Sequence, residues 1–163
     1  MQLEGQITLE EIENEIKAEL NSAAPIGEAE AAKAARKPYR INDFDSPRDK
    51  EMAVFTHAKK LSEYIFVITE KSPKKLRWSI ISRLQNASVD VIDNLYRANF
   101  ERDDEKRIQY QKNAVVNLRL LDFYTETARK KQAITIRQTA IIAQQIGETD
   151  KLLNGWIRST KRK

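Results

Sequence analysis

Four times along this chain an apolar residue returns at every third or fourth position and keeps returning for about seven turns. That is the period of one helix face, not the alternation of a strand. In "DSPRDKEMAVFTHAKKLSEYIFVITEK" the pattern is carried by Met52, Val54, Phe55, Ala58, Leu61, Ile65 and Ile68. In "SPKKLRWSIISRLQNASVDVIDNLYRANF" it is carried by Leu76, Ile80, Leu84, Ala87, Val91, Leu95 and Ala98. A third run, from about Asp103 to Lys130, has Ile108, Ala114, Val115, Leu118, Leu121, Phe123 and Tyr124. The fourth, from Thr135 to about Ser159, lays Ile136, Ala140, Ala143, Ile146, Leu153 and Ile157 along one face.

Start signals punctuate these runs. Ser46 with Pro47, and again Ser72 with Pro73, read as an N-cap followed by a proline at the first helical position, where a missing N–H costs nothing. Asp103, Asp104 and Glu105 suit the positive end of the third helix, and Arg129, Lys130 and Lys131 its negative end. Thr135 and Gln138 form a capping box. Four helices of about 25 residues, near 38 Å each, joined by turns of a few residues, pack as an up-down-up-down antiparallel four-helix bundle. The fold class is therefore all-α, with residues 46–163 as the bundle. Ala87, Ala98, Ala114, Ala140 and Ala143 are expected to let helix axes approach, and Trp78 and Trp156 to supply buried area or interface surface.

Residues 1–45 read as an extension. "ITLEEIENEIKAEL" places Leu9, Ile12, Ile16 and Leu20 at helical spacing behind a Thr8–Glu11 capping box. The stretch that follows, with Pro25, Gly27 and Pro38, reads as a linker. The chain's other limits come from what it lacks. It has four glycines and no cysteine in 163 residues, so neither a Gly-rich phosphate loop nor thiolate chemistry is available. The sole histidine, His57, reads as a surface or satisfied residue, and without a Glu-x-x-His pair no di-iron carboxylate site is expected. Asp90 and Asp93 are better explained by an ion pair from Asp93 to Arg97, four residues on, than as paired catalytic carboxylates. We therefore expect no catalytic residue, no metal and no cofactor. No apolar run approaches the roughly 20 residues a membrane-spanning helix needs, and the N-terminus lacks a secretory layout, so a cytoplasmic chain with no membrane partner is expected.

Charge is spread unevenly. Residues 1–51 carry 7 basic and 12 acidic side chains, whereas residues 52–163 carry 22 basic and 12 acidic, a net of +10. A compact body with that excess attracts polyanions, of which nucleic acid is the commonest inside cells. The plain alternative is a solvated helical surface. Antiparallel packing brings the first and third inter-helix turns to one end. There Lys71, Lys74, Lys75 and Arg77 would meet Arg129, Lys130, Lys131 and Arg137, with Arg83 farther along the second helix. Cations at a helix start oppose the helix dipole, at up to about 1 kcal/mol each, so a reward elsewhere is expected, and phosphate contacts would provide it. Tyr64, Phe66, Tyr96 and Trp156 exceed what the core needs and are expected to be exposed at a subunit interface.

Several stretches also resemble a known family. "EKSPKKLRWSIISRLQNASVDVIDNLYRANFERDDEKR" and the closing "IGETDKLLNGWIRSTKRK" are similar to the accessory variability determinant (Avd) proteins of diversity-generating retroelements. These sit in a four-helix-bundle superfamily that includes proteins encoded in ribosomal RNA intervening sequences. The resemblance covers about residues 50 to 163 and leaves the acidic leader out. It implies a non-catalytic accessory protein that forms a homopentamer. Its expected partners are the retroelement's reverse transcriptase and template RNA, and its expected role is support of error-prone cDNA synthesis in mutagenic retrohoming. A four-helix-bundle scaffold without a nucleic-acid partner is the alternative reading.

Overall fold

The computed structural model describes residues 9–22 and 52–162. The chain divides into two units, Met1–Glu51 and Met52–Lys163. In the first, α1 (Leu9–Ser22) forms where the apolar spacing predicts, with Glu10 and Glu11 in its first turn. Thr8 of the Thr8–Glu11 capping box, the linker beyond Ser22 and the Ser46–Pro47 start signal lie outside the described residues.

The second unit is built of helices alone among the described residues. Its first helix is α2 (Ala53–Thr69). Next comes a rod of three consecutive pieces: α3 (Lys74–Leu76), a π-helical turn (Arg77–Ile81) and α4 (Ser82–Phe100). It is followed by α5 (Asp104–Lys130) and α6 (Ile136–Lys161). The connections at 70–73, 101–103 and 131–135 are too short for anything but reversal, so neighbours run antiparallel. Within this unit α2 packs on the rod, the rod on α5 and α5 on α6, and α2 closes the bundle against α6.

The start signals predict helix ends with uneven success. Asp103 caps α5, its carboxylate accepting from the Glu105 and Lys106 N–H groups at 2.9 and 3.0 Å. The Thr135–Gln138 capping box forms as expected. The Ser72–Pro73 signal is displaced: Pro73 itself holds the N-cap position, and the buried Ser72 hydroxyl makes no hydrogen bond. The bend at 131–135 is closed by a Schellman motif, in which the Ala133 N–H reaches back to the Ala128 carbonyl at 2.9 Å. Its left-handed position, normally glycine, is occupied by Gln132 with φ 58°. Ile134 turns inward behind it and is buried.

Leu61, Ile65, Leu84, Val91, Leu95, Leu118, Leu121, Ile141, Ile142 and Leu153 fill the core. Removing each such side chain from water contributes about 1.5–3 kcal/mol. Polar side chains stitch the seams. The Ser62 and Ser88 hydroxyls meet at 2.9 Å between α2 and α4, and Gln85 donates to the Thr69 hydroxyl at 2.8 Å. Gln111 donates to the Thr160 hydroxyl at 3.1 Å between α5 and α6. Of the alanines, Ala87, Ala98 and Ala114 are buried at helix contacts as expected. Ala140 and Ala143 are exposed, because α6 turns Ile141, Ile142, Gln145 and Thr149 to the core instead. Ile136, read as part of the same apolar face, is likewise exposed.

Candidate nucleic-acid interface at the bend pole

A cleft of about 210 Å³ fixes which helix ends meet. Its walls are Met52, Asn99, Arg107, Trp156, Ser159 and Thr160, from the start of α2, the end of α4, the start of α5 and the end of α6. The bends at 70–73 and 131–135 therefore share the other end of the bundle. That pole gathers Lys71, Lys74, Lys75 and Arg77 with Arg129, Lys130, Lys131 and Arg137, as the sequence predicts, and all but the half-buried Arg129 are exposed.

The cations do not play equal parts. Arg77 donates from Nε to the Ser72 carbonyl at 3.1 Å and through its terminal nitrogen to the Glu70 carbonyl at 3.5 Å. It thereby satisfies carbonyls left over where α2 ends, at the negative end of that helix's dipole. This answers part of the dipole cost: the start of one helix is the end of its neighbour, and the neighbour's carbonyls reward a cation. Arg129 is engaged by Glu126, with Nε to Oε2 at 2.9 Å. Hydrogen bonding to Arg129 holds the Glu126 carboxyl below the usual carboxylate range, and Lys130 adds to the attraction. Arg129 is accordingly the member of the set least available to an outside anion.

Lys71, Lys74, Lys75, Lys130 and Lys131 form no ion pair with any described residue, and neither does Arg83, one turn and more into the rod. Glu70 is the exposed carboxylate of the first bend. Exposed lysines that form no ion pair with a described carboxylate leave the pole able to attract phosphates in a salt-dependent way.

Away from the pole, the Asp93–Arg97 pair forms at 2.7 Å as expected. His57 bonds through Nδ1 to the Ala53 carbonyl at 2.8 Å and faces Glu148 at 3.7 Å, a satisfied surface residue. Among the described residues no three metal-ligating side chains cluster, and no helix is long and apolar enough to cross a membrane.

The expected exposure of the interface aromatics needs correction. Tyr64 is wholly buried: it follows Leu61 by three residues and precedes Ile65, so it shares the inward face of α2. Tyr96 and Trp156 are half-buried, their rings 4.9 and 6.2 Å from that of Phe55. Phe66 is exposed as expected. Periodicity missed a different apolar surface. Val116, Leu120 and Phe123 are 57%, 40% and 62% exposed and, at spacings of four and three, form a stripe on the outside of α5. The signal was present, since Leu118, Leu121, Thr125 and Ala128 mark the inward face and leave Phe123 off it.

The described residues 52–162 thus form an antiparallel all-α bundle with a lysine-rich pole at the end where the bends at 70–73 and 131–135 lie. A family model described as bAvd-like matches residues 52–160, and the chain belongs to that family. No curated protein matches it.

Proposed function

We propose that this protein is a non-catalytic accessory factor of a diversity-generating retroelement, one that binds template RNA and its cDNA at the bend pole, associates with the reverse transcriptase and supports mutagenic cDNA synthesis. Membership of the bAvd-like family supports the retroelement context. The observation that carries the nucleic-acid contact is the set of exposed lysines from two separate bends, Lys71, Lys74, Lys75, Lys130 and Lys131, that no described carboxylate pairs. Arg77 and Arg129 serve the fold at the same time. Arg83 and Arg137 would extend the contact along the second and fourth helices. Phe66, Tyr96, Trp156 and the outer stripe of α5 are proposed as contacts between copies in a homo-oligomer, a pentamer under the family resemblance.

The test is a mobility-shift titration with single-stranded RNA over a salt series. Binding is expected to weaken with salt at a slope of about −0.7 per phosphate contacted. Replacing Lys74, Lys75, Lys130 and Lys131 with Glu is expected to abolish it while the helical circular dichroism stays unchanged. Full retention of binding in that variant would move the contact away from this pole. No binding by the unaltered chain at low salt would favour the scaffold reading.

A further inference from the structure

We propose that Trp78 is a base-stacking platform and that the cationic pole consequently takes single-stranded nucleic acid in preference to duplex; this rests on the nucleic-acid reading above. Trp78 is 92% exposed, the most exposed large apolar side chain described. Its ring takes part in no aromatic pair and no hydrogen bond among the described residues. The indole thus contributes nothing visible to the bundle, although tryptophan is a large apolar surface that folding ordinarily covers.

Its placement gives the surface a use. Trp78 stands two residues before the buried Ile80, on the exposed side of the rod, and Lys74 and Lys75, four and three residues back in the piece that leads into the π turn, are exposed as well. The segment is π-helical, with the Ser82 N–H reaching the Arg77 carbonyl, and single π turns recur at functional sites. An aromatic face beside ammonium groups matches a nucleic-acid strand, whose bases stack while the flanking phosphates meet the lysines. In a duplex the base faces are already stacked on one another, so the indole would have no face to cover. A protein partner is the rival occupant. The core of a protein–protein contact is depleted in lysine, whereas Trp78 is set among lysines.

The experiment titrates the full chain, Trp78→Ala and Trp78→Phe with an oligouridine 15-mer and with a 15-base-pair duplex, at several salt concentrations. The unaltered chain is expected to prefer the single strand, with its indole fluorescence quenched on binding. Trp78→Ala should weaken single-strand binding by roughly 5- to 150-fold, the range of one aromatic stack. It should leave the salt slope and the duplex affinity unchanged, and Trp78→Phe should keep most of the affinity. Salt-dependent binding that Trp78→Ala leaves intact, or weakens equally for strand and duplex, would overturn the stacking role while sparing the electrostatic contact, and would leave the indole to a protein. Failure of the unaltered chain to bind either oligonucleotide would overturn both.

Discussion

At the scale of single residues, Gln132 is the position where chain and fold disagree. It holds the left-handed position of the Schellman motif that ends α5, a conformation costing a side-chain-bearing residue roughly 1–2 kcal/mol. Gln132→Gly removes that cost but frees the unfolded chain, which offsets part of the gain. A net stabilisation of about 0.5–1 kcal/mol is expected, read as a higher urea midpoint at unchanged slope. The motif was not legible in the sequence, because "RKKQAIT" lacks the glycine that normally announces it. What compels the left-handed turn is tertiary: Ile134 must reach the core directly after α5 ends. Tyr64 carries the opposite lesson. Its neighbours Leu61 and Ile65 already mark the inward face, but a phenol at such a position reads as interface until the packing around it is seen.

At the scale of elements, the hairpin of α2 with the rod explains why cations stand at a helix start. Arg77 belongs electrostatically to the end of α2, whose carbonyls it binds, whereas Lys74 makes no such bond. The two should therefore respond differently to replacement. Arg77→Ala is expected to speed amide hydrogen exchange at the end of α2 and across the bend at 70–73, besides weakening RNA binding. Lys74→Ala should weaken RNA binding while exchange in the bend stays as in the unaltered chain. Equal exchange in both variants would remove the capping role of Arg77. The boundaries of α5 and α6 were readable because Asp103 and the Thr135–Gln138 pair bond only to backbone within one turn. The start of α6 misleads about phase, because Ile136, Ala140 and Ala143 lie at helical spacing yet are exposed. Small and apolar residues at helical spacing describe an arc, and neighbouring helices decide which part of it is covered.

At the scale of the molecule, the stripe of Val116, Leu120 and Phe123 adds a demand that the bundle alone does not meet. Three exposed apolar side chains in line on one helix favour burial against another surface, and a further copy of the chain is the occupant that the proposed homo-oligomer requires. Val116→Asp combined with Phe123→Asp is expected to lower the mass found by light scattering to that of one chain, with the helical signal retained. A monomer mass for the unaltered chain would remove the assembly altogether. An unchanged oligomer in the variant would shift the contact to Phe66, Tyr96 and Trp156.

The sequence by itself determined that the bundle has four helical runs, that they alternate in direction, and that two lysine-bearing bends share one end. Those features follow from local periods, caps and connections of only a few residues, each readable within one turn of chain. Only the tertiary structure decided that Arg77 and Arg129 serve the fold while the lysines of the bends form no ion pair with a described residue, that Tyr64 is inside while Trp78 and Phe123 are outside, and that Gln132 must turn left-handed. Those outcomes depend on which neighbouring helix covers which part of an apolar arc and on which carbonyl lies within reach, and both are set by residues far apart in the chain.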